Sequence, residues 1–108
     1  MTEISAQQLK NRIDSGEKLN LLDVREEWEY QEFNIGAKNI PLSVFMSRLD
    51  ELEDWKDQEV IVHCKMGGRT MQAAMILEKL GFKNVVAYKG GMDEWISTFV
   101  NPPTQAHG

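Results

Sequence analysis

The chain has 108 residues, 42% of them hydrophobic and 27% charged, with 12 Lys plus Arg against 17 Asp plus Glu and a net charge of −5. That length suits one domain with a single core, and the acidic balance argues against nucleic acid as a partner. No apolar run approaches the ~20 residues that span a bilayer, and MTEISAQQLK lacks a basic segment leading into an apolar one, so a cytoplasmic protein with no membrane partner is expected.

In chain order, Ser5 and Gln8 have the spacing of a capping box, Leu9 and Ile13 share a helical face, and Gly16 suits the position after a C-terminus, so a helix is predicted over Ala6 to Ser15. Leu19 to Val24 is a nearly continuous apolar run ending at Asp23 and Arg25, the pattern of a buried parallel strand. REEWEYQEF is a short amphipathic segment. Lys38 to Ile40 reads as a brief strand stopped by Pro41, and Ser43 as the cap of a helix carrying Val44, Phe45, Leu49 and Leu52.

Val60 to Val62 is a β-branched strand leading into Cys64, and from Arg69 apolar residues return at helical spacing, with Ala73, Ala74, Leu77 and Leu80 on one face and Gly81 as the stop. Val85 to Tyr88 gives another strand. Gly90 and Gly91 open a last helix, GMDEWISTF. Residues 1–100 form the domain on this reading, and 101–108, polar and proline-bearing, a disordered tail. Strands alternating with helices predict an α/β fold, a mainly parallel central sheet with helices on both faces. Ligands bind such sheets at the carboxyl ends of the strands, where Cys64 falls.

Cys64 is the only cysteine, which excludes an internal disulfide, a CxxC redox centre and a zinc ribbon. His63 and His107 are the only histidines, and neither metal nor organic cofactor is expected. The run Lys65, Met66, Gly67, Gly68, Arg69 spends two glycines and two cations on one strand-to-helix loop, which an inert buried cysteine would not need. Converging N–H groups, the helix N-terminus and the flanking Lys65 and Arg69 would favour a thiolate and draw a small anionic substrate. Thr70 closes the loop. Met66 is expected exposed at its tip, where it could meet a donor or partner. His63 is set aside as a base, because adjacent strand residues point to opposite faces. Trp28, Trp55 and Trp95 are expected in the core or at its rim.

CKMGGRT resembles the active-site loop of single-domain rhodaneses, and so do three other segments: LLDVREEWEY with Asp23, Val24 and Arg25, then GAKNIP, then GGMDEW. The resemblance covers about Ile4 to Phe99. It implies a sulfurtransferase in which Cys64 takes the outer sulfur of a donor such as thiosulfate as a persulfide and passes it to cyanide, a thiol or a protein acceptor. Lys65 to Thr70 would bind the donor, with Arg69 either doing so or bracing the loop against an acidic neighbour, Asp23 or one of the glutamates after it. Asp23 and Arg25 would be structural support. Two residues depart from the family pattern. Lys65 stands where Arg is more frequent and lacks its planar fork, which weakens the case for thiosulfate; Asn34 stands near a frequent His, in a loop that looks one residue shorter. The rivals are a protein-to-protein persulfide relay and a cysteine phosphatase. Phosphatase loops place five residues between Cys and Arg, whereas Lys65, Met66, Gly67 and Gly68 are four.

Overall fold

The computed structural model describes residues 1–102, so the expected tail from 103 onward lies outside the described residues. Five strands form one parallel sheet in the order β1-β5-β4-β2-β3, with β1 Thr2–Glu3, β2 Leu21–Asp23, β3 Lys38–Asn39, β4 Glu59–His63 and β5 Asn84–Tyr88. Four α-helices accompany them: α1 Ala6–Asp14, α2 Glu27–Glu32, α3 Gly68–Lys79 and α4 Gly91–Trp95. The α/β reading with a parallel sheet therefore holds.

Alternation along β4 divides the core. Val60, Val62 and Cys64 pack with Leu22, Phe45, Leu52, Ala73, Ala74 and Leu77 on one face, while Ile61 packs with Leu9, Leu21, Val86, Tyr88, Met92 and Trp95 on the other. Helix α3 covers the first face, and α1 and α4 the second. Each fully buried Leu or Phe contributes roughly 1.5–3 kcal/mol, so both faces must be closed for the strands to be stable.

Several elements differ from expectation. β1 is absent from the sequence reading, because two exposed polar-flanked residues carry no periodicity, yet Thr2 pairs with Val86 and Glu3 with Ala87. Ser43 does not cap a helix: the segment is a 3₁₀ helix, Leu42–Trp55, entered directly from Pro41 with no side-chain cap. Of its apolar residues Phe45 and Leu52 are buried and Leu49 partly so, whereas Val44 is exposed. Leu80 lies beyond the end of α3 and is exposed rather than on the buried face. The last helix is α-helical only to Trp95 and widens into a π-helical turn over Ile96–Val100. The Ser5 and Gln8 capping box on α1 forms as read.

Candidate active site

Residues Cys64 to Thr70 connect the end of β4 to the first turn of α3. Gly67 is the cap of α3 with φ +110, and a Cβ there would stand 2.7 Å from the Lys89 carbonyl oxygen. Only glycine allows that turn at that depth. Gly68 is different: it is the exposed first residue of α3, and a methyl group added there would meet open space, so the turn needs one glycine rather than two. The short loop and the helix together put backbone N–H groups around the sulfur.

Cys64 is 1% exposed, and the Gly67 N–H donates to its Sγ at 3.1 Å. Burial pushes the thiol up, but the Thr70 hydroxyl and the backbone N–H groups of Thr70, Gly67 and Met66 outweigh it and hold Cys64 below the ordinary thiol range. The Thr70 hydroxyl is itself buried and is committed to no hydrogen bond among the described residues, so it is free to turn to the sulfur. These donors, ahead of the flanking cations, favour the thiolate. From sequence alone the loop N–H groups, the helix N-terminus and the cations Lys65 and Arg69 are all expected to contribute, and the geometry pairs both cations with carboxylates instead.

Arg69 is gripped by Glu29 of α2 through two hydrogen bonds, Nη1 to Oε1 at 2.5 Å and Nη2 to Oε2 at 2.9 Å. The Arg69 guanidinium holds the Glu29 carboxyl down to about 2 despite its partial burial. Lys65 Nζ donates to Asp93 Oδ2 at 2.9 Å. Met66 is 70% exposed at the loop tip. Asp23 and Arg25 form a buried ion pair beneath α2: Arg25 Nε and Nη2 donate to the Asp23 carboxylate, Nη1 to the Glu29 carbonyl and Nη2 to the Phe33 carbonyl. Arg25 therefore ties the exit of β2 to α2, and α2 presents Glu29 to Arg69.

Helix α4 meets the loop from the other side. The Met92 N–H donates to the Cys64 carbonyl and the Asp93 N–H to the Lys65 carbonyl, at 2.9 and 3.1 Å. A cleft of about 130 Å³ runs beside the loop, lined by residues that include Trp28, Glu29, Phe33, Lys65 and Asp93. Trp28 is 63% exposed and stands at the rim rather than in the core, whereas Trp95 is buried and Trp55 partly so. Asn34 stabilises its short loop by accepting from the Gly36 N–H at 2.9 Å and donating to the Tyr30 carbonyl at 3.0 Å.

His63 turns to the opposite face from Cys64, beside Asp23 in the strand register, with Nδ1 3.9 Å from Asp23 Oδ2. Burial pushes its pKa down to about 4, against the pull of Asp23. The imidazole is therefore neutral at pH 7 and does not serve the sulfur. Because the unfolded chain takes up this proton near pH 6.5 and the folded one near 4, stability falls as pH drops through that window, by roughly 3 kcal/mol in total. Thermal unfolding of wild type and His63→Leu between pH 7.5 and 4.5 checks it: wild type should lose Tm more steeply than the variant, and parallel curves would contradict the assignment.

The rhodanese-like domain family model matches residues 5–98. The chain belongs to this family. Among relatives of the rhodanese-like domain, Bacillus subtilis YrkF, named as a sulfur carrier protein, is 40% identical over 94 residues, 86% of this chain and 50% of YrkF. YtwF of the same organism, named as a sulfurtransferase, is 37% identical over 94 residues, 86% of this chain and 88% of YtwF. The human single-domain sulfurtransferase TSTD1 superposes with a TM-score of 0.76 at 27% identity, covering 91% of this chain and 97% of that one. This domain spans half the length of YrkF and 24% of the Mycobacterium tuberculosis adenylyltransferase/sulfurtransferase MoeZ. The family is thus one of sulfurtransferases and sulfur carriers. Among the described residues no helix is long and apolar enough to cross a membrane.

Two residues of this arrangement escape a reading of the sequence. Glu29 is one of several acidic candidates for Arg69, indistinguishable within REEWEYQE without knowing which face of α2 meets α3. Asp93 lies 28 residues from Lys65 and carries no signal of its own.

Proposed function

We propose that this domain is a sulfurtransferase that carries a sulfane sulfur as a persulfide on Cys64. The thiolate attacks the outer sulfur of a donor such as thiosulfate, an S–S bond forms at Cys64 and the donor's S–S bond breaks, and sulfite departs with the electron pair. A nucleophile, cyanide or a thiolate, then attacks the terminal sulfur and releases the Cys64 thiolate. One observation carries the reading: a buried sulfur that accepts from the Gly67 N–H at 3.1 Å, in a loop whose neighbouring Thr70 and Met66 groups help hold the thiol below its ordinary range. Such donors stabilise sulfur anions as an oxyanion hole stabilises oxygen, and they serve thiolate and persulfide alike.

Lys65 is the cation on the donor's path. Arg69, held at two points by Glu29, braces the loop. Asp23 and Arg25 support the scaffold. A second reading, a persulfide relay between proteins, gains from the exposed Met66 and Trp28 beside the loop and from the likeness to a sulfur carrier. Thiocyanate formation from thiosulfate and cyanide tests the first: wild type should turn over and Cys64→Ser should fall to background. No turnover by wild type, with sulfur accepted from a persulfidated protein, would favour the relay, and turnover of an aryl phosphate lost in Cys64→Ser would revive the phosphatase alternative.

A further inference from the structure

Both cations of the Cys64 loop already face a carboxylate. Arg69 and Glu29 share a two-point contact in which Glu29 is nearly buried. Lys65 and Asp93 share a single contact between side chains that are 51% and 48% exposed. The formal charges of these four groups cancel, and Arg25, which lines the cleft together with Glu29, Lys65 and Asp93, is cancelled by Asp23. In a chain of net charge −5, an approaching anion therefore finds little free positive charge at this mouth.

The two pairs are not equivalent. A half-exposed single-contact pair opens readily, whereas a bidentate Arg–carboxylate pair resists displacement. Lys65 is thus the cation an incoming donor can recruit, and Asp93 is its competitor for that recruitment. Asp93 also fixes the backbone of residue 65, since its N–H donates to the Lys65 carbonyl at 3.1 Å. That bond survives substitution of the side chain.

We propose that Asp93 is a positioning residue that acts through Lys65 to set the charge preference of Cys64, disfavouring small anionic reagents relative to uncharged ones. The inference rests on Cys64 as the reactive nucleophile of the preceding section. It does not require sulfur transfer for its test.

Alkylation of Cys64 provides that test, because the thiolate displaces iodide from iodoacetate or iodoacetamide, reagents of similar size that differ by one negative charge. The ratio of their rates cancels changes in thiolate content or accessibility. At low salt, Asp93→Asn should raise the iodoacetate to iodoacetamide rate ratio by roughly threefold or more, while Asp93→Glu leaves it near wild type. The increment should shrink when Lys65→Gln is already present and when salt is raised to about 0.5 M, where the Debye length is only a few ångströms. An unchanged ratio in Asp93→Asn, or an equal increment with and without Lys65, would overturn the proposal. Thiosulfate kinetics supply the second readout: in Asp93→Asn KM should fall with kcat little changed. Charge-selective alkylation without any persulfide would leave this inference standing and remove the sulfurtransferase reading instead.

Discussion

Gly91→Ala should lower stability by about 2–5 kcal/mol, the sum of a left-handed backbone strained by a side chain and an overpacked contact. Gly91 has φ +67, and a Cβ there would collide with the Lys65 carbonyl oxygen and lie 2.7 Å from that of Cys64. Both obstacles are backbone, and both carbonyls accept hydrogen bonds from α4, so neither can retreat without loosening the loop. Gly36→Ala is the internal control. It has φ +83 but nothing within 4 Å of the added methyl, so it should show the backbone strain alone, about 1–2 kcal/mol. Urea unfolding of both variants separates the two causes. If Gly91→Ala costs no more than Gly36→Ala, α4 does not dock tightly onto the Cys64 loop. Sulfur transfer by Gly91→Ala should drop by roughly 100-fold even where the protein is folded, because a shift near 1 Å at the nucleophile is enough for that.

Arg25→Leu should cost about 3–5 kcal/mol, as expected when one member of a buried ion pair is removed and the other is stranded. Asp23 is fully buried, and its carboxylate accepts from the Arg25 guanidinium and from the Arg25 backbone N–H. The loss extends further, since the same guanidinium holds the carbonyls of Glu29 and Phe33 and so seats α2. Unseating α2 frees Glu29 from Arg69. Arg25→Leu should therefore impair sulfur transfer as well as stability, although Arg25 touches no reacting atom. Asp23→Leu combined with Arg25→Leu should recover part of the stability, because no buried charge is then left unpaired. A denaturant double-mutant cycle checks this, and strict additivity of the two single losses would show that the pair is not coupled.

The site is legible in the sequence to the extent that it is local. Cys64, the need for a glycine at Gly67, and the strand-loop-helix order all lie within a short stretch from Val60 to Thr70, where β-branching and helical periodicity mark the boundaries directly. The parallel sheet is legible too, because buried strands such as Val60 to Val62 are apolar without alternation. What decides the electrostatics is not legible. Glu29 reaches Arg69 across 40 residues and Asp93 reaches Lys65 across 28, and such pairings depend on which face of α2 or α4 turns inward. The charge of Lys65 reads as free in the sequence and that of Arg69 is left between the donor and an acidic neighbour, whereas both are matched in the fold. Strand β1 escapes for a related reason: two residues join the sheet through backbone hydrogen bonds to β5, and side-chain pattern carries no trace of that. Ser43 misleads because a serine after Pro41 resembles a cap, whereas the fixed geometry of the proline itself starts the 3₁₀ turns.

The most direct test of a persulfide on Cys64 is the intact mass of the protein after incubation with thiosulfate, followed by addition of cyanide, with Cys64→Ser alongside. Wild type should gain one sulfur atom, lose it to cyanide, and differ in this from Cys64→Ser, which should never carry it. An unmodified wild-type mass, with Cys64 still open to alkylation, would contradict thiosulfate as the donor, and a sulfur gained equally by Cys64→Ser would contradict Cys64 as its carrier.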